Sequence, residues 1–120
     1  MSVRSLSFPK SRRLTCASEF ERVKQKGYAK RGKLMTLGVL AVQNAGSSRV
    51  GFVTTRSVGG ATVRNRLRRR LREIVRAHQH DLRQDFWIVL VARRDGANAS
   101  YGALEDEWLR LAKRAFILAL

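Results

Sequence analysis

Between Arg64 and Arg76 the chain places seven arginines on a segment whose apolar residues keep helical spacing. A guanidinium is a planar fork that can grip a phosphate through two hydrogen bonds, and it stays charged throughout the physiological pH range. The run contains no lysine, and Glu73 is its one acid. A solvated helix gains by mixing acids with bases one turn apart. Seven cations without matching anions repel one another unless a polyanion meets them. Asn65, a weak helix former, carries an amide that can donate to and accept from a sugar or a base edge. These residues offer recognition of phosphates at fixed spacing, as a structured RNA presents them. DNA is the physical alternative, but no helix-turn-helix pair, zinc spacing or basic zipper accompanies the run.

Residues able to break a bond are harder to find. A protein nuclease needs an acid and a base, or carboxylates that hold metal ions. His78 and His80 stand two apart at a helix end and so point in different directions. They suit the cation-favouring end of a helix dipole better than a shared phosphate. Asp81 and Asp85 could touch one metal from one turn apart, but charge balance for nearby arginines accounts for them more simply. No Gly-rich phosphate loop and no Ser/His/Asp arrangement is present. Phe20 shares a helix face with Val23, which fits plain packing or a stacking platform. Trp87 and Trp108 read as core, Tyr28 and Tyr101 as packing or cap residues. Cys16 stands alone, so it can form no internal disulfide and reads as a packing residue of a cytoplasmic protein.

Composition agrees. Lys and Arg number 25 against 9 acids, a net charge of +16, with 44% apolar residues. That describes a folded domain with a polyanionic partner rather than a disordered basic tail. A membrane surface is the second candidate for that partner, but no apolar run is long enough to span a bilayer and no N-terminal hydrophobic signal segment is evident. The 120 residues suit a single RNA-binding domain, 1–120.

The elements that would hold these side chains follow from periodicity. Residues 1–16 contain Arg4, Lys10, Arg12, Arg13 and the one proline, and read as a basic N-terminal arm. Ser18 and Glu21 have capping-box spacing, so a short helix is expected over about 18–26, stopped by Gly27. Residues 28–33 read as a basic loop and 34–43 as a buried strand. A turn at 44–48 leads to an alternating strand at 49–56, and the two strands are expected to form an antiparallel hairpin. Gly59 and Gly60 then break the chain ahead of the arginine helix, about 61–79. Val63, Leu67, Leu71 and Ile74 form its narrow apolar stripe, with Val75 at the edge. Asn65, Arg69, Arg72 and Arg76 point away, Arg64 and Arg68 flank one side, and Arg66 and Arg70 the other. Residues 86–92 read as a second buried strand. Ser100 is expected to cap a last helix to about 118, buried through Leu104, Trp108, Leu111, Ala115 and Leu118, with Glu105, Asp106 and Glu107 near its dipole-favoured start. The fold class expected is α+β, a two-layer sandwich of helices on a small sheet.

The stretch Gly59-Gly60-Ala61-Thr62-Val63-Arg64-Asn65-Arg66-Leu67-Arg68-Arg69 resembles the RNR signature of the protein subunit of bacterial ribonuclease P. Phe8-Pro9-Lys10-Ser11-Arg12-Arg13-Leu14-Thr15, followed by Glu19-Phe20-Glu21-Arg22-Val23 and Gly27, resembles that family's N-terminal region. The resemblance covers about residues 8–115. It implies a mixed sheet with three helices and a left-handed strand-helix-strand crossover around the RNR helix, where a right-handed connection would be the default. It implies that Arg64, Asn65, Arg66, Arg68, Arg69 and Arg72, with Arg56 and Arg13, face the catalytic ribonuclease P RNA. Phe20 and Lys24 would line a cleft for the single-stranded 5′ leader of precursor tRNA. Many members carry a second aromatic four residues after that Phe; Lys24 stands there here, making the cleft more cationic with one stacking platform fewer. Two adjacent basic residues are common just after the second strand, where this chain has Arg56 followed by Ser57. The resemblance further implies that the RNA carries out magnesium-dependent hydrolysis, that the protein alone binds no cofactor, and that it lowers the magnesium requirement and holds the leader. A ribosomal or RNA-chaperone protein would share the basic face without the cleft. A self-sufficient nuclease would use Asp81, Asp85 or the histidines.

Overall fold

The computed structural model describes residues 10–119, so positions 1–9 of the expected basic arm, Arg4 among them, lie outside the described residues. Three helices and four strands follow in the order α1 (Ala17–Lys26), β1 (Tyr28–Arg31), β2 (Met35–Ala41), β3 (Arg49–Val53), α2 (Ala61–Ala77), β4 (Phe86–Ala92) and α3 (Tyr101–Arg114). Short 3-10 turns at Lys10–Arg12, Arg56–Val58, Gln79–Asp81 and Arg94–Asn98 join them. The class is α+β with a mixed sheet, as expected.

The sheet order is β1-β2-β4-β3. β2 runs antiparallel to both β1 and β4, while β3 runs parallel to β4 with Val50 opposite Ile88. The expected hairpin between β2 and β3 is therefore wrong, because β4 lies between them. The reason is burial. β4 reads Phe-Trp-Ile-Val-Leu-Val-Ala, and its Ile88, Val89 and Leu90 are buried in succession. A strand apolar on both faces belongs at the centre of a sheet, not at its edge. The turn after β2 docks on the start of β4 instead: Val42 N–H donates to the Asp85 carbonyl (2.9 Å) and Gly46 N–H to the Asp85 carboxylate (2.8 Å). Residues 28–33 are likewise not all loop, since Tyr28–Arg31 pair with Thr36–Val39 as the outer strand.

Strand alternation divides the molecule. Met35, Leu37, Val39, Val50, Ile88 and Leu90 point to one face and pack against α2 and α3 in the main core. Leu67, Leu71, Ile74 and Val75 of α2 are buried there, with Val63 partly so. Each such side chain contributes about 1.5–3 kcal/mol, which offsets repulsion among the arginines on the same helix. Trp108 is fully buried and Leu104, Leu111 and Ala115 accompany it, but α3 ends at Arg114, short of the expected 118. Ser100 caps α3 as expected, its hydroxyl accepting from Ala103 N–H at 3.1 Å. On the opposite face, α1 lies over Val89 with Val23, Leu14 and partly buried Phe20, Leu40, Val53 and Val91. Helices thus cover both faces, α2 and α3 as the main layer and α1 as a smaller one.

Two local expectations shift in register. The N-cap of α1 is Cys16 rather than Ser18, and Glu19 reaches back to the Cys16 backbone N–H (3.4 Å). Cys16 is accordingly exposed rather than packed. The acids at 105–107 fall past the first turn of α3 and have particular partners instead. Glu105 meets His78 Nε2 at 2.9 Å. Glu107, only 3% exposed, accepts from the backbone N–H groups of Lys33 (3.1 Å), Leu34 (2.7 Å) and Met35 (2.9 Å). Its carboxylate pins the turn between β1 and β2.

Candidate nucleic-acid interface

The edge strand β3 organises the site. Its outer side is covered by the arm: Leu14 N–H donates to the Val50 carbonyl (3.0 Å), so Arg13 lies directly beside the sheet. Arg49 ties the same region to α1, bonding the Glu19 carboxylate at 2.7 Å and the Arg13 carbonyl at 3.1 Å. Alternate residues of β3 then serve two surfaces.

Toward α1, Val53 forms part of a groove of about 450 Å³ between that helix and the sheet, and Gly51 lies beneath the Phe20 ring at its wall. Its lining includes Phe20, Val23, Lys24, Tyr28, Val53 and Val89. A Cβ at Gly51 would lie 2.5 Å from the Phe20 ring, so glycine is what lets the ring rest against the strand. Phe20 is half-buried, and Lys24 is exposed at the same groove. The groove is apolar in its floor and carries both Lys24 and Glu21 at its helix wall. Its shape and chemistry admit an extended chain bearing flat apolar groups and negative charge.

Toward α2, Phe52 and Thr54 meet the arginine helix. Arg68 donates to the Thr54 hydroxyl (2.7 Å), and the Arg72 guanidinium lies 5.9 Å from the centre of the Phe52 ring. The pKa of Arg72 is lowered, first by burial and then by Arg13 and Arg68. Those three cations are thus gathered without an acid paired to them among the described residues, an arrangement that stores affinity for an anion. The Arg64 Nε is buried and has no hydrogen-bond partner among the described residues. Asn65, Arg66 and Arg69 are exposed. Farther round α2, Arg66 and Arg70 line a notch with Asn98 and Ser100, where Arg70 donates to the Ala99 carbonyl (3.2 Å). Arg56 is exposed on the turn between β3 and α2. Gly59 in that turn has φ +152°, and a Cβ there would press on Val63 at 3.0 Å, so the glycine serves the entry into the helix. Glu73 pairs with Arg76 alone among the flanking arginines, and its carboxyl pKa is lowered by that hydrogen bond.

The expected site residues thus form two surfaces: Phe20 and Lys24 at the groove, and Arg13, Arg68 and Arg72 together beside β3. Arg64, Asn65 and Arg69 continue the second surface along the helix, while Arg66 lies round the other flank with Arg70. Trp87, expected in the core, is half-buried instead. The guanidinium of Arg22 lies 5.0 Å from its ring centre and that of Arg49 5.9 Å. The residues weighed for cleavage are dispersed. His78 caps α2 and meets Glu105, Asp81 lies 3.8 Å from His78, and Asp85 holds the turn after β2. The two aspartates therefore serve His78 and a backbone turn, not nearby arginines. Among the described residues no three His, Cys, Asp or Glu side chains gather where they could hold a metal ion. No helix among them is long and apolar enough to cross a membrane.

Comparison with known proteins places this geometry. Residues 8–116 match the family described as Ribonuclease P. The ribonuclease P protein component of Syntrophomonas wolfei is 33% identical over 111 residues, 92% of each chain, and that of Symbiobacterium thermophilum 35% identical over 109 residues, 91% of this chain and 95% of its own. The ribonuclease P protein from Thermotoga maritima superposes with a TM-score of 0.77 at 26% identity, over 85% of this chain and 96% of its own. The Staphylococcus aureus ribonuclease P protein shares the fold at a TM-score of 0.84 and 19% identity, over 91% of this chain and 99% of its own. With its basic helix, open groove and nearly full-length match, this chain belongs to the ribonuclease P protein family, the RNA-binding protein component of a ribonucleoprotein endoribonuclease of tRNA processing.

Proposed function

We propose that the two surfaces divide the work within ribonuclease P: the arginines of α2 with Arg13 and Arg56 dock the catalytic RNA, and the groove beneath α1 holds the 5′ leader of precursor tRNA. The observation that carries this reading is the groove itself, which sets Phe20 and Lys24 over an apolar floor on one side of β3 while Arg13, Arg68 and Arg72 gather on the other. Single-stranded nucleic acid is held by that combination, with aromatic stacking worth about 1–3 kcal/mol per base. The fixed arginines neutralise phosphates where two RNAs approach, which reduces the magnesium needed to screen them. The acids among the described residues are dispersed and do not fit a metal site; in this reading hydrolysis belongs to the RNA.

The test is cleavage of 5′-labelled precursor tRNA at low magnesium, with a bacterial ribonuclease P RNA, with and without the protein. Cutting at the mature 5′ end only in the mixture supports the proposal. Cutting by the protein alone would reveal a nuclease site. Tight RNA binding without any stimulation, with several RNA subunits tried, would favour a chaperone or ribosomal role. Within the holoenzyme, Phe20→Ala is expected to weaken binding of leader-bearing substrate but not of mature tRNA; equal weakening of both would make Phe20 a packing residue.

A further inference from the structure

We infer that Arg31 holds a backbone phosphate of the 5′ leader at the outer end of the groove, so that the leader crosses the sheet from β3 to β1. This rests on the groove being the leader site. The route follows from the register of the strands. Arg31 pairs with Thr36, Thr36 with Val91, and Val91 with Val53. Residues directly opposite on neighbouring strands share a face, and Thr36, Val91 and Val53 all line the groove. Arg31 therefore ends that row. It also lies two positions from Ala29, another residue of the groove, and so on the same side of β1. A row across four strands spans about 14 Å. The helix wall runs alongside it. Phe20 of α1 rests on Gly51 of β3, and Val23 stands over Gly38 of β2, where a Cβ would meet it at 3.4 Å.

The two ends of the row differ in chemistry. At the β3 end the Phe20 ring stands beside Val53, and Gly51 is buried between that ring and Leu14 of the arm. At the β1 end the floor opens. Ala29 and Arg31 are exposed, and β1 is the outer strand of the sheet. Arg31 has no hydrogen-bond or ion-pair partner among the described residues. The acid lining the groove, Glu21, stands on the helix wall and is engaged by Gln25 (2.9 Å). Stacking at one end and an unpaired guanidinium at the other suit an extended single strand, with a base on Phe20 and a phosphate in the fork of Arg31. Direction follows from the arginines beside β3. With the catalytic RNA docked on Arg13, Arg68 and Arg72, as proposed, the cleavage site lies toward the β3 end. Arg31 then meets a nucleotide farther from that site than the one on Phe20.

The experiment measures binding of precursor tRNAs to the reconstituted holoenzyme, with leaders lengthened one nucleotide at a time. Wild-type affinity is expected to rise with length. Arg31→Ala should lose about five-fold, the upper range for an exposed ionic contact, and only for leaders longer than those at which Phe20→Ala first shows its loss. For those longer leaders the log-log slope of affinity against salt should become shallower by about 0.7, the share of one phosphate on a single strand. Arg31→Lys should keep most of the affinity. A single methylphosphonate at the leader position where the Arg31→Ala loss sets in should weaken wild-type binding and leave Arg31→Ala unchanged. Unchanged affinity of Arg31→Ala at every length, with Phe20→Ala still abolishing leader dependence, would overturn this inference and leave the groove reading intact. Equal loss for mature tRNA would assign Arg31 to RNA outside the leader and overturn it too. A loss that begins at shorter leaders than that of Phe20→Ala would reverse the direction and overturn the route. No leader dependence in the wild type would remove both the inference and the groove reading.

Discussion

Replacing Glu107 tests the link between the buried carboxylate and the groove wall. Its two oxygens accept from three consecutive backbone N–H groups, at 3.1, 2.7 and 2.9 Å, and from Arg110 at 3.1 Å. Hydrogen bonds to a charged group each contribute about 1.5–3 kcal/mol. They are not additive here, because the Lys33 and Leu34 N–H groups are near enough to solvent to regain water. Met35 is fully buried and its N–H would stay dry, which alone costs about 1–3 kcal/mol. Glu107→Ala is therefore expected to cost about 3–5 kcal/mol by urea unfolding, a large share of the roughly 5–15 kcal/mol that holds a domain together. Glu107→Gln keeps one acceptor oxygen but turns an amide NH₂ toward an N–H donor, and is expected to cost about 2–3 kcal/mol. Arg110 is mostly exposed, so Arg110→Ala should cost under about 1 kcal/mol. Unfolding within about 1 kcal/mol of wild type for Glu107→Ala, or a cost for Arg110→Ala equal to that of Glu107→Ala, would refute the reasoning. The first result would mean water replaces the carboxylate without penalty; the second, that the ion pair and not the backbone cap carries the energy.

Three further outcomes are expected. Gly51→Ala sets a Cβ 2.5 Å from the Phe20 ring and must displace it; the fold should survive a cost of about 1–3 kcal/mol, while the ratio of leader-bearing to leaderless substrate affinity falls toward that of Phe20→Ala. If about six arginines each meet a phosphate, the log-log slope of RNA affinity against salt should lie near −4 to −5, and a slope near −1 would rule out that many contacts. Ser100→Ala removes the hydroxyl that accepts from Ala103 N–H, and thermal or urea unfolding should register a loss of about 1 kcal/mol.

What could be read from the sequence was whatever depended on local periodicity. The stripe of α2, the core strand at 86–92, the Ser100 cap and the helix carrying Phe20 each follow from neighbours in the chain, and each is found in the structure. Strand order does not depend on neighbours in the chain. β2 and β3 each have a side apolar enough to pair with any central strand, and only the burial of β4 on both faces, through Ile88, Val89 and Leu90, decides which strand they flank. The cap of α1 moved by two residues because Glu19 is also held by Arg49, a contact from a strand thirty positions away. Glu107 looked like one of three dipole-favoured acids. Its partners are backbone groups of another element, which leave no trace in side-chain spacing.

The placement of the groove and the arginine cluster on opposite sides of one edge strand has a mechanical consequence. Gly51 backs the Phe20 ring and Val53 faces the groove, while Phe52 and Thr54 between and after them contact Arg72 and Arg68. Side chains two apart on a strand share a face, and neighbours oppose one another. Phosphates drawn to Arg13, Arg68 and Arg72, as proposed, would therefore load the same five-residue strand that walls the groove. That strand is hydrogen-bonded to β4 on one side and, through Val50, to the arm beside Arg13 on the other. It is held on both sides, so on the proposed function RNA docking need not reshape the groove, and a leader would meet a wall already formed. Leader affinity gained in this way would come from pre-organisation, with little ordering cost left for the binding step.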